Sequence, residues 1–225
     1  MICIENDQEI FEADYPAIVP FLMQEQDGEI YIEAYSGIEE LAQQFELRFE
    51  NEYFSDTALK WLDLNIRDYL DKNGYYREER GVMRWYHAYI LSDKDRVNTD
   101  LIRKDSVMLN EPIKSRTLIK PAEHLELSMP VFATVEDGVA VSVATVNPHS
   151  EDQSCLEVTA ETAVAYRKLG YGASNVAALT KYLLENGYSV AYCCSRYNRA
   201  SIKIAEKIGF ERDGRFYAVD AYKKY

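Results

Sequence analysis

Six residues carry the strongest chemical signal in the chain: Arg167-Lys168-Leu169-Gly170-Tyr171-Gly172. They fall between a β-rich run ending at Thr162 and an amphipathic stretch starting near Gly172. The first turn of a helix has backbone N–H groups without partners, and the macrodipole adds about half a positive charge there. Glycines let the preceding loop close around an anion. Such a loop can cradle a pyrophosphate largely with its backbone, and Arg167 and Lys168 add charge. The competing reading is a plain tight turn between strand and helix. Two other phosphate loops do not fit. No GxxxxGK[ST] run exists, and Ala173-Ser174-Asn175 after Gly172 lacks the third glycine of GxGxxG. Just upstream, Glu157, Thr159 and Glu161 alternate, so on a strand they share one face.

The remaining reactive residue types point to little. His87, His124 and His149 have no metal spacing, and no metal site is expected. Cys3, Cys155, Cys193 and Cys194 contain no CxxC pair, and they suit a reducing cytoplasm. Cys193 and Cys194 read as small buried hydrophobes rather than acyl acceptors. The 18 tyrosines are many for 225 residues; Tyr75-Tyr76 and Tyr86 with Tyr89 read as core packing before pocket lining.

The elements that must position the loop are legible in the last third. Val131–Val135 and Val139–Val146 flank Glu136-Asp137-Gly138, a hairpin signal because Asp and Gly tolerate positive φ. A strand is expected at 156–162, a helix at about 172–186, a strand at 189–194, a helix at 200–208 and a strand at 216–222. The order β-β-β-α-β-α-β gives an α/β (α+β) fold, a mixed sheet with helices on its faces. The first 80 residues read as helical. Ser36-Gly37-Ile38-Glu39 has the form of a capping box. Apolar residues recur at helical spacing over 36–49, and over 55–74 through Leu59, Leu62, Ile66, Tyr69 and Leu70. Trp85–Leu91 is an expected strand. Residues 93–128 show no clear pattern. The expected division is a mainly helical region, 1–125, and a second region, 126–225.

Composition removes several classes. Hydrophobic residues make up 47% and charged residues 28%, an ordinary globular balance. No apolar run is long enough to cross a membrane, and the acidic N-terminus is unlike a signal peptide. The net charge is -13, and residues 1–50 hold 13 acids against one base, Arg48. That balance argues against nucleic acid and against an anionic membrane surface. Residues 151–225 hold 9 acids and 11 bases, a setting that suits a phosphorylated small ligand.

Residues 131–225 resemble the core of the GNAT superfamily of N-acetyltransferases. The likeness runs through Ser142–Val146, Val158–Thr162, Tyr166–Gly172 and Val176–Glu185, and closes with Asn198-Arg199-Ala200-Ser201 and Gly209-Phe210. It implies a mostly antiparallel mixed sheet and acetyl-CoA, or another acyl-CoA, as co-substrate. The pyrophosphate would rest on the N–H groups from Lys168 through Leu169, Gly170, Tyr171 and Gly172 to Ala173. The pantetheine arm would pair with the backbone of Ala160, Glu161 and Thr162. Asn198 would contact the arm, with Ser201 one turn on, although Asn is also an ordinary helix N-cap. The base in this superfamily is commonly a Glu on the splayed strand. Glu161, expected nearest the thioester, is the first candidate for base or amine anchor, and Glu157 the second. The Tyr that often protonates the thiolate is replaced by Ala205, and neither Tyr166 nor Tyr197 is placed at the sulfur.

The resemblance implies an N-acetyltransferase acting on a primary amine of a small molecule, as a monomer or homodimer in the cytoplasm. The acidic front makes a cationic acceptor the expectation, with residues 1–125 as its binding part; a solubilising surface explains the same composition. The alternatives are a non-catalytic acyl-CoA-binding or regulatory module and an acidic interaction protein.

Overall fold

The computed structural model describes residues 2–5, 9–12, 15–26, 28–35, 37–76, 84–117, 129–147 and 154–223. His124 and His149 lie outside them. Contacts divide the chain into two compact units, 1–87 with 214–225, and 88–213.

The first unit begins with strands β1 (Ile2–Glu5), β2 (Glu9–Glu12), β3 (Tyr15–Gln26) and β4 (Glu29–Ala34). Helices α1 (Glu39–Arg48) and α2 (Asp56–Lys72) and the short β5 (Tyr75–Tyr76) follow. Strand β12 (Glu211–Lys223) returns to pair antiparallel with β3 and β5. Strand β3 also pairs antiparallel with β2 and β4, and β1 pairs parallel with β4. The first residues are not helical: Ile2–Glu5, Glu9–Glu12, Tyr15–Gln26 and Glu29–Ala34 are strands. Phe21 and Met23 are buried while Leu22 and Gln24 are only partly so, and Ile32 and Ala34 repeat the alternation on β4. That is a period of two, and tertiary packing overrides helix propensity. Gly28, at φ +79°, follows Asp27 between the two runs, which is the same Asp-Gly signal as at 137–138.

Both expected helices are present. Strand residues Phe21, Met23, Ile32 and Tyr217 bury against Phe45, Leu59, Leu62 and Ile66. The capping box takes another form. Helix α1 is capped at Ile38 without a side-chain bond, and the Glu39 carboxylate accepts from Gly37 N–H at 2.9 Å. Ser36 lies outside the described residues. At α2, Ser55 Oγ accepts from Ala58 N–H at 3.1 Å. Ser55→Ala should cost about 1 kcal/mol of stability, read from the denaturant midpoint; an unchanged midpoint would show that the cap contributes nothing. Tyr75 is buried, and Tyr86 stacks on Phe216 at 4.9 Å.

The second unit has the strand order β6, β11, β10, β9, β8, β7. Strand β6 is Arg84–Leu91, of which residues 88–91 lie in this unit. Two 3-10 turns, Lys94–Arg96 and Thr99–Leu101, and β7 (Ser106–Met108) come next. The hairpin β8 (Val131–Glu136) and β9 (Val139–Val146) turns through Asp137 and Gly138, at φ +50° and +74°, as its sequence predicts. Then come β10 (Cys155–Thr162), α3 (Tyr171–Glu185), β11 (Ser189–Ser195) and α4 (Arg199–Ile208). Strands β10 and β11 run parallel, while β7 through β10 pair antiparallel. Leu156, Val158, Val190 and Tyr192 pack in one core with Val176, Leu179 and Leu183 of α3 and Ala205 and Ile208 of α4. On the opposite face a smaller core of Val131, Ala133 and Val143 lies against Leu109 and Ile113.

Candidate active site

The site grows from one interruption in the sheet. The β10–β11 ladder runs through Cys155–Ser189, Leu156–Val190 and Glu157–Ala191, and then stops. Strand β10 continues to Thr162 and β11 to Ser195, so the two strands fork after Glu157 and Ala191. Asn147 N–H donates to Glu157 O at 2.7 Å, and Ala163 N–H to Val141 O at 2.9 Å. The odd residues of β10 therefore spend their backbone groups on β9, and the even residues face β11. Past the fork, Val158 C=O, both backbone groups of Ala160 and Thr162 N–H line an open edge. An extended ligand can pair there as an added strand does.

The open edge leads into the glycine loop. Arg167 Nε donates back to Thr162 O at 3.0 Å, which folds the loop onto the end of β10. Lys168 has φ +67° and Gly170 φ +88°. Gly170 is the N-cap of α3 with no side-chain cap bond, and the first helical bond is Ser174 N–H to Gly170 O at 3.0 Å. The N–H groups of Tyr171, Gly172 and Ala173 thus stand at the open end of the helix, where negative charge is favoured. A Cβ on Gly172 would sit 3.1 Å from Thr162 Oγ1, so a glycine there lets α3 press against β10. This donor set fits a pyrophosphate, and the edge fits its arm.

The support beneath the loop was not legible in the sequence. Asn175 is fully buried; its Nδ2 donates to Ser142 O at 3.1 Å, and its Oδ1 accepts from Ser106 Oγ at 2.6 Å. Ser174 Oγ accepts from Arg103 N–H at 2.9 Å. The Arg103 guanidinium makes two 2.9 Å bonds to Asp105, donates to Leu169 O at 3.4 Å and lies 4.8 Å over the Tyr171 ring. The Arg103 pair holds the Asp105 carboxyl below its ordinary range. Tyr171 OH donates to Glu136 at 3.0 Å, which pushes that phenol up. The only advance sign was Ser174-Asn175, two polar residues on an otherwise apolar helix face.

The two candidate carboxylates stand in different places. Leu156 and Val158 are buried, so Glu157, Thr159 and Glu161 share the opposite face. Glu157 sits at the vertex of the fork, where Asn147 Nδ2 donates to Oε2 at 3.1 Å. Burial pushes its carboxyl up, against the bonds from Asn147 and Cys193. Glu161 lies nearer the glycine loop and opposite Val143. Asn198 caps α4, accepting from Ser201 N–H at 3.2 Å, and the Ser201 hydroxyl bonds Tyr192. Ala205 is fully buried. Arg116 donates to Tyr166 OH at 3.4 Å, and Tyr197 is exposed beneath the Arg196 guanidinium. Burial raises Cys194 to about 11 and pushes Cys193 higher, which makes neither a ready nucleophile. Among the described residues, no His, Cys, Asp and Glu group could hold a metal ion, and no helix is long and apolar enough to cross a membrane.

A forked sheet whose open edge runs into a glycine-rich anion loop defines an acyl-carrier transferase fold. Residues 99–210 match the sequence profile described as the acetyltransferase (GNAT) family. This part of the chain belongs to that family, and the protein is an acyl-CoA-dependent N-acetyltransferase. Among solved structures, a protein described as a GNAT-family acetyltransferase from Novosphingobium aromaticivorans is similar, with 16% identity over 68% of this chain and 69% of that one and a TM-score of 0.52. A GCN5-related N-acetyltransferase-like protein from Streptococcus suis shares 19% identity over 72% of this chain and 67% of that one, with a TM-score of 0.46. The former supports the fold alone. No curated protein matches the sequence.

Proposed function

We propose that the protein transfers an acetyl group from acetyl-CoA to the primary amine of a small cationic molecule. The supporting observation is the fork, with an open edge that ends at the glycine loop. Acetyl-CoA supplies the activated thioester carbonyl. The N–H groups of 168–173 hold the pyrophosphate, and the β10 edge at Ala160 and Thr162 holds the arm. The loop follows Thr162 in the chain, so an arm running back from it along the edge reaches the fork at Val158. The carbonyl then meets Ala160 N–H, which stabilises the charge growing on its oxygen. Glu157 is the nearer carboxylate and takes the ammonium proton. Glu161 anchors the cation, and Asn198 steadies the arm from across the fork. Ala205 offers no proton, so the thiolate leaves unprotonated and takes up the second proton, which the nitrogen releases as the amide forms. We place the enzyme in the cytoplasm, where acetyl-CoA is available.

The expectation of a cationic acceptor rests on the net charge of -13, which favours cations over anions around the protein. Thiol release from acetyl-CoA with a panel of amines tests both donor and acceptor. Polyamines, amino sugars and basic amino-acid derivatives should outperform neutral amines, and kcat/KM should fall several-fold from low to high ionic strength. A preference for neutral or anionic acceptors without salt dependence would leave the acidic segment as a solubility feature. CoA binding without thiol release from any amine would favour a regulatory module.

A further inference from the structure

Glu157 is gripped from two sides, and its carboxylate is held by side chains that the sheet itself does not need. On the β9 side, Asn147 takes hold of it twice. Its backbone N–H donates to Glu157 O at 2.7 Å, and its side-chain Nδ2 donates to Glu157 Oε2 at 3.1 Å. The backbone bond sets the distance of the residue, and the side-chain bond fixes the rotation of its carboxylate. On the other side, β11 carries Cys193 two residues beyond Ala191, the last ladder partner of Glu157. That spacing brings Cys193 onto the same face, and its thiol hydrogen-bonds the Glu157 carboxylate. A thiol that holds its proton this firmly is a standing donor and not a nucleophile.

We propose that Asn147 and Cys193 are positioning residues that together fix the Glu157 carboxylate at the fork, aimed at the amine and in its ionised form. This rests on the assignment of Glu157 as the base. Burial alone disfavours the charged carboxylate, and a base that stays protonated cannot accept a proton. Two donors aimed at the same carboxylate favour its anion and leave it basic enough to work. Because one donor comes from each side of the fork, the carboxylate is held at its vertex, where the ladder ends. Of the titratable groups, Cys193 faces Glu157 from β11, and Cys155 and Glu161 lie on the same face of its own strand; Asn147, at the end of β9, does not titrate.

The test needs no bound ligand. The carboxyl ¹³C shift of Glu157, assigned by its loss in Glu157→Gln, is followed against pH in wild type, Cys193→Ala, Cys193→Ser and Asn147→Ala. Removing either donor should move the midpoint upward by roughly half to one pH unit. Cys193→Ser keeps an O–H donor and should restore it. The acid limb of kcat/KM, measured with acetyl-CoA and the best amine of the panel, should move in parallel, with the plateau at high pH nearly kept. Unchanged midpoints in both alanine variants would overturn the proposal, as would a serine variant that behaves like the alanine one. If the midpoints move but Glu157→Gln retains turnover, the grip stands and the base assignment falls. If Glu157→Gln abolishes turnover while the midpoints stay fixed, the base stands and the grip falls.

Discussion

Glu157→Gln lowers turnover by ~10²–10⁴-fold while acetyl-CoA affinity stays nearly unchanged: this is the expected result for a general base that does not touch the nucleotide. Glutamine keeps the shape and an acceptor oxygen for Asn147, so the loss isolates proton transfer from packing. Glu161→Gln should act differently, raising KM for the amine more than it lowers kcat, because an anchor contributes to binding in ground and transition states alike. Turnover measured on the true acceptor settles the division. A Glu157→Gln enzyme of near-normal turnover would move the role to Glu161 or to water. The pH dependence has a fixed sign. Burial raises the Glu157 carboxyl, so activity rises with pH through that raised value. Stability runs the other way. The folded carboxyl binds its proton more tightly than the unfolded one, so its contribution is fully present below the ordinary carboxylate pKa. It is lost as pH rises through the folded value.

Gly170→Val should weaken acetyl-CoA binding by ~10²–10⁴-fold, the cost of misaligning about two hydrogen bonds to a charged group. Nothing lies within 4 Å of a Cβ built at Gly170, so no clash is involved. The difficulty is the backbone, because φ +88° is one that a β-branched residue rarely adopts. The loop must therefore reshape, and with it the N–H groups at the start of α3. Gly172→Val acts by another route, since its side chain enters the space held by Thr162 Oγ1 and pushes the helix from the strand. Calorimetry with acetyl-CoA on variants shown to be folded decides the matter. Unchanged affinity in either would place the nucleotide elsewhere.

What the sequence disclosed depended on how local the cause was. The hairpin at 137–138 needs two residues of positive φ and shows them as Asp-Gly. The glycine loop is a run of six residues, and α2 carries its own cap and apolar stripe. The four strands before residue 35 were missed because Phe21, Met23, Ile32 and Ala34 are fixed by a sheet whose partner strand, β12, comes some 190 residues later. Asp27-Gly28 is the local sign between two of those strands, of the same kind as Asp137-Gly138. At the site, the loop was visible but its supports were not. Arg103, held by Asp105, reaches Leu169 and Tyr171 across more than 60 residues, and no spacing rule links them. The difference between Glu157 and Glu161 was likewise hidden, because both occupy the same face of one strand. Only the end of the β10–β11 ladder distinguishes a carboxylate at the fork from one further along it.

The return of β12 to the first unit has a consequence for how the protein is made. Tyr217, Val219 and Ala221 are wholly buried in the core that also holds Phe21, Phe45 and Leu62. The ribosome produces those partners with all of 88–213 between them. The acyltransferase unit is continuous in sequence and can close as soon as its own residues emerge. The earlier-made unit must wait with its apolar helix faces uncovered until β12 arrives. Until β12 is made, the apolar residues of β3, α1 and α2 lack the strand that completes their core.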